Sequence, residues 1–403
     1  MSVATSSSLA GQHSNGRRRC QYLDEVSPAL AYVFSADPIW TPEIRDAVEA
    51  WMSRHQVPPL LRRVSSGSPA AFMELSYTDA RILYHGITFV EQLRNADAHI
   101  FAFGTVSLSE FIEQALEHPC AKTAFLAFAS HHLCMITRST AADQIKRCYI
   151  GATCSHLSVA LEVFSDVNAD AVLAASCMLG WATWEKASYA QILQGTSNIV
   201  ARMLRMQSMG FRSKLSTIFG NANRLPTNDR RVVVAHLSLP EDDLLRMKPL
   251  KQELECLIRD TGRQGQIATA ARTLLDYIRN VVSGQFETWS EQTGIFVAIH
   301  EWTPWVPTDS LGLARRSLPI MTLMALYEAV IIASKSYLPE IFGALFPQKR
   351  AEVIGRIYKA LCELQIASKK SQTGQAEIDN AVKTATVAMV YAVRYLARNG
   401  NHR

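Results

Sequence analysis

No two of the eight cysteines stand at C-x-x-C spacing, which removes the zinc-ribbon and dithiol redox signatures. The cysteines fall at 20, 120, 134, 148, 154, 177, 256 and 362, most of them in apolar helical surroundings. They are expected to be reduced, buried thiols of an intracellular protein and not a disulfide framework. The N-terminus has no apolar core of a secretory signal. The longest apolar run, from Pro319 to Ala333, is interrupted by Glu328 and is shorter than the ~18 residues of a spanning helix, so no membrane span is expected. Also absent are G-x-x-x-x-G-K-[ST], G-x-G-x-x-G, G-x-S-x-G and HExxH; His300-Glu301 has no second histidine one turn on. No alternating stretch is long enough for a sheet, and no internal repeat is evident.

What remains is a chain of 403 residues, 48% apolar and 19% charged, with a net charge of +5 and a pI near 8.7. The length suffices for one large domain or two smaller ones with ample core. The basic excess is mild, below that of a dedicated nucleic-acid domain. Residues 1–16, rich in Ser, Ala and Gly, read as disordered. The proline-rich stretch 24–70 reads as a linker holding one short helix near 41–55, where Thr41 and Pro42 form an N-cap and first-turn pair.

From about residue 72 the apolar period is helical throughout. Helices are expected at 76–94, 108–117, 122–138, 143–164, 169–184, 189–206, 241–260, 263–282, 286–300, 317–336, 338–345, 348–368 and 376–398, with Asn399 and Gly400 as the final stop. The segment 122–138 is apolar on most faces, which places it in the middle of a bundle. In 143–164, Cys154, Leu157, Leu161 and Phe164 share one stripe; in 189–206, Ile192, Gly195, Ile199 and Met203 do. Residues 207–240 are irregular, with Val232–Val234 a brief extended candidate. The fold class is all-α: a tail and linker over 1–70, then a multi-helix domain over 71–398.

Candidate chemistry is sparse. An all-α enzyme ionising a prenyl diphosphate needs clustered aspartates for magnesium. The nearest group, Glu241-Asp242-Asp243, follows Pro240 at a helix start, where acids favour the dipole in any case. No second acidic cluster completes it, and no catalytic residue is assigned. The groups His131/His132/Cys134, Cys154/His156 and His118/Cys120 lack zinc-ligand spacing and read first as core thiols and hydrogen-bonded histidines. Trp181, Trp184, Trp302 and Trp305 read as helix-junction packing, with the rim of an apolar cavity as the other reading.

The stretch NGRRRCQYLDEVSPA at 15–29 resembles the closing end of the fungal six-cysteine binuclear zinc cluster, in which the last cysteine lies in a basic stretch ahead of a Ser/Pro linker. Here Cys20 would be that last ligand, and residues 1–19 contain no other cysteine. One thiolate cannot build a tetrahedral zinc site, so no metal cofactor is expected in this chain as written, and zinc only if a longer N-terminus exists. Downstream, ELSYTDARILYHG (74–86), LEHPCAKTAFLAFASHHL (116–133), NADAVLAASCMLGWATWE (168–185) and YAQILQGTSNIVARM (189–203) are similar in order and spacing to the regulatory region of fungal zinc-cluster transcription factors, especially the branch containing the sterol uptake control proteins. Beyond residue 207 the likeness is one of helical texture.

The resemblance implies a nuclear transcription regulator, without enzymatic activity, controlling metabolic or secondary-metabolite genes. Its all-α domain would sense a sterol-like apolar ligand or bind related regulators as a homodimer or heterodimer. Arg17, Arg18 and Arg19 would add phosphate contacts to DNA, weak or lost in this form, because phosphate contacts carry affinity without reading sequence. No ligand-contact residue is carried over. The other readings are an all-α enzyme of isoprenoid-type metabolism and a helical lipid-binding protein with no regulatory role.

Overall fold

The computed structural model describes residues 42–54, 75–95, 108–137, 139–183, 186–213, 215, 240–262, 266–300, 317–339, 341, 345–371 and 374–400. Among these residues there are fourteen α-helices and no strand, so the chain is all-α. In chain order they are α1 (Pro42–Arg54), α2 (Tyr77–Asn95), α3 (Leu108–Glu117), α4 (Pro119–Thr137), α5 (Thr140–Glu162), α6 (Ala169–Ala182) and α7 (Lys186–Ser208). After residues 216–239 come α8 (Glu241–Leu245), α9 (Lys248–Asp260), α10 (Gln266–Ser283), α11 (Trp289–His300), α12 (Leu318–Ala333), α13 (Pro347–Ser371) and α14 (Gln375–Gly400).

Two helices organise the core. Every residue of α4 from Thr123 to Leu133 is buried, and α4 carries α2, α3, α5 and α6 around it. Every residue of α12 from Ile320 to Ile332 is buried, and α9, α10, α13 and α14 pack on it. A helix apolar all round loses least free energy when no face meets water. Together with the short helical turn Ser334–Ser336, α12 is long and apolar enough to cross a membrane, yet 78% of that window is buried inside the bundle. Helix α7 against α11 joins the two groups, and one contiguous apolar cluster runs through both. The short helix expected within the linker, α1, contributes Val48 and Trp51 to that cluster and packs on α2.

Helix starts follow local chemistry. Ser76 and Asp79 form a reciprocal capping box: the Asp79 amide donates to Ser76 Oγ at 3.1 Å and the Ser76 amide to Asp79 Oδ2 at 3.2 Å. Pro119 opens α4 because a first-turn proline lacks only an amide that had no partner.

Several expectations are corrected. The helix expected over 241–260 is broken at Met247, which adopts a left-handed conformation with φ 52°. The cause is Pro249, whose ring would clash with the Leu245 carbonyl in a continuous helix. The carbonyls at the break are taken up instead by tyrosines: Tyr337 donates to Leu245 O at 2.8 Å and Tyr391 to Leu244 O at 3.3 Å. The described residues within 338–345 form turns and not a helix. In α5 the buried face is Ala142, Ile145, Tyr149 and Thr153, while Cys154 and Leu161 are exposed. In α7 the buried stripe is Tyr189, Leu193, Thr196 and Met203, rotated from Ile192 and Gly195. Both segments hold apolar residues on more than one face, and the neighbours decide which face is covered. Asn399 and Gly400 lie in the last turn of α14 and not beyond it. The Val232–Val234 candidate lies outside the described residues.

Candidate functional site

The close approach of α2 and α4 starts from Gly86. A Cβ there would stand 2.8 Å from the Phe125 ring and 2.9 Å from Ala129, so only glycine lets the two helices meet at this separation. The next residue back, His85, then reaches His132: His85 Nε2 and His132 Nδ1 are 3.0 Å apart, both buried. The imidazoles stack with centroids 5.1 Å apart, and Phe89 stacks on His132 at 4.0 Å. The aromatic contacts continue from Phe89 to Phe128 and on to Trp181 and Phe111, with centroids 6.3, 5.8 and 5.5 Å apart in turn. One interior string of rings thus spans α2, α4, α6 and α3.

Burial decides the charge state of this centre. It pushes the His85 imidazolium down to about 4. His132 is held well below its ordinary range by burial first, and then by the neighbouring His85 and His131. Both rings are therefore neutral near pH 7, and a neutral pair satisfies itself, one nitrogen donating and the other accepting. Two hydroxyls on the same helices are left over. Ser130 Oγ, on a fully buried residue, and Thr88 Oγ1 have no hydrogen-bond partner. A buried hydroxyl without a partner is costly and marks where a polar group entering this apolar interior would be received.

A second polar centre lies on α12 and α13. Arg350 Nη1 donates to Glu328 Oε2 at 2.5 Å and Arg350 Nε to the Leu345 carbonyl at 2.5 Å. The guanidinium also lies 5.7 Å from the centroid of the Tyr327 ring. Burial opposes the Arg350 charge, but the Glu328 carboxylate and the tyrosines Tyr327 and Tyr189 outweigh it and hold the group above its ordinary value. Nearby, Tyr277 and Ser334 hydroxyls are 3.0 Å apart. Charge and countercharge are both fully engaged, so this centre ties α12 to α13 and offers no free group for chemistry.

The residues singled out from sequence fall as follows. Arg17, Arg18, Arg19 and Cys20 lie outside the described residues, as do Trp184, Trp302 and Trp305. Trp181 packs between Phe111 and Phe128. Glu241 and Asp243 pair with cations of the same chain, Arg394 at 3.1 Å and Lys248 at 2.5 Å. Cys134 Sγ lies 3.9 Å from the Ser139 carbonyl, and His156 Nδ1 lies 3.4 Å from Thr123 Oγ1. Among the described residues no three His, Cys, Asp or Glu side chains group to hold a metal ion. Sequence reading missed His85, whose one signal is the adjacent glycine. It also missed Arg350; the signal there was Glu328, a lone carboxylate in an apolar helix that requires a buried cation. Compared with protein-family models, with curated proteins and with solved structures, the chain matches none of them at a significant level.

Proposed function

We propose that the helical domain is the ligand-responsive regulatory part of a transcription regulator of the fungal zinc-cluster class, and that its ligand is apolar with a polar end, of the sterol type. The reading rests on the resemblance of the four quoted segments. One observation supports it: these segments fold as α2, the end of α3 with α4, α6 and α7, and their shared interior holds the aromatic string with the Ser130 and Thr88 hydroxyls. An apolar body packs on rings, and a single hydroxyl answers a buried polar group. In this reading Arg17, Arg18 and Arg19 contribute phosphate contacts, so any DNA affinity falls with salt at a log–log slope of about −3.

The test is deletion of the gene in the source organism, with transcripts profiled and the tagged protein located. A defined set of metabolic genes changing, with the protein in the nucleus, is the expected outcome. A protein confined to cytosol or membranes, with transcripts unchanged, would replace this reading with that of a lipid carrier. A fluorescent sterol titrated against the purified chain should bind saturably, and Ser130→Ala should alter that binding while leaving the helical content unchanged.

A further inference from the structure

Helix α5 buries Ala142, Ile145, Tyr149 and Thr153, and the opposite face presents Arg147, Gly151, Cys154, Ser158 and Glu162 to solvent. That face does not have the composition of a solvated one. Between Arg147 and Glu162 the sequence holds no Asp, Glu, Lys or Arg, although solvent-facing helix surfaces are ordinarily charged. The Ser155 and Ser158 hydroxyls donate back to the carbonyls of Gly151 and Cys154 at 3.2 and 2.9 Å, which leaves mostly carbon outward. A side chain at Gly151 would meet nothing within 4 Å, so nothing inside one copy calls for a mid-helix glycine that weakens the helix relative to alanine. Towards the end of the helix, Val159 and Val163 are 62% and 66% exposed.

We propose that two copies of the chain pair through this face, their α5 helices antiparallel about a two-fold axis between residues 154 and 155. The charges select the arrangement. Under that two-fold, Arg147 of each copy stands opposite Glu162 of the other, at both ends of a seam roughly 22 Å long. A parallel pairing in the same register would set Arg147 against Arg147 and Glu162 against Glu162. Gly151 falls opposite Ser158 of the second copy, so small residues oppose small residues and the backbones can approach closely. Cys154 faces its own counterpart across the axis, offset by about one residue rise of 1.5 Å along the helix, within the reach of a disulfide. An isologous contact of this kind closes on itself as a dimer. The pairing goes beyond the regulatory reading and does not depend on it.

Sedimentation of the full chain across the micromolar range tests it. The wild type should dimerise. Arg147→Glu and Glu162→Arg should each weaken the dimer by at least about 10-fold, because each sets like charges together twice. The double variant R147E/E162R should restore it. Arg147 also bridges Asp143 of its own helix at 2.8 Å, so Glu162→Arg is the independent probe, with circular dichroism to confirm that each variant is folded. Under an added thiol oxidant, the wild type should form a covalent dimer that Cys154→Ser abolishes. The proposal is overturned by a monomer at every concentration, by a dimer that neither reversal weakens, by a double variant that stays monomeric, or by a cross-link that survives Cys154→Ser.

Discussion

Gly86 and Arg350 are single residues on which separate contacts depend. A methyl group at 86 would stand inside van der Waals distance of the Phe125 ring and Ala129. Gly86→Ala is therefore expected to destabilise the fold by about 1–3 kcal/mol through overpacking, read as a lower urea midpoint at unchanged slope. Equal stability would mean that α2 and α4 separate at no cost. Arg350→Met leaves Glu328 charged, buried and unpaired, a loss of about 3–5 kcal/mol, whereas R350M/E328L should recover most of it. If the double variant is no better than the single, the ion pair itself supplies the stability. At this scale the sequence is readable in one direction only. Glu328 stands out as an acid in an apolar run, but its partner lies 22 residues away on another helix, and no spacing rule names it.

Among the elements, the start of α2 does two jobs. Asp79 closes the capping box with Ser76 and also accepts from the buried Tyr149 hydroxyl of α5 at 2.5 Å. Ser76→Ala should cost about 1 kcal/mol, the ordinary value of a lost cap. Asp79→Ala should cost more, about 2–4 kcal/mol, because it also strands a buried hydroxyl. A cycle of Asp79→Ala with Tyr149→Phe should give a coupling of about 1–3 kcal/mol; additive effects would mean that the bond ties nothing together. The helices themselves were legible because period and caps are local. The break at Met247 was also written in the sequence, in Pro249, since a proline inside a continuous apolar period removes an amide and crowds the carbonyl four residues back. The facing of α5 and α7 was not legible, because each carries apolar residues round more than half its surface.

For the whole molecule, the buried titratable groups set the pH range of stability. His85 titrates at about 4 in the fold against about 6.5 in the unfolded chain. The unfolded chain therefore binds more protons between these values, so stability is complete above pH 6.5 and falls as the pH drops towards 4. The 2.5-unit gap corresponds to about 3 kcal/mol for His85 alone, and His132 adds in the same direction. At the alkaline end, burial raises the Tyr149, Tyr189 and Tyr277 hydroxyls. The unfolded chain then ionises first, and stability falls above about pH 10. Thermal midpoints measured against pH should show a plateau between these limbs. His85→Gln should flatten the acid limb; an acid limb unchanged by that substitution would assign it to other groups.

The sequence by itself determined that the chain is helical, where most helices begin, and that 122–138 and 317–336 lie at bundle centres. These properties follow from hydrogen bonds and apolar periods within one segment. Only the tertiary structure decided which polar groups meet. His85 and His132 are 47 residues apart, and Asp79 and Tyr149 are 70 apart. Such pairs form because whole helices pack at a separation set by residues such as Gly86, and that separation depends on the assembled core and not on any one segment.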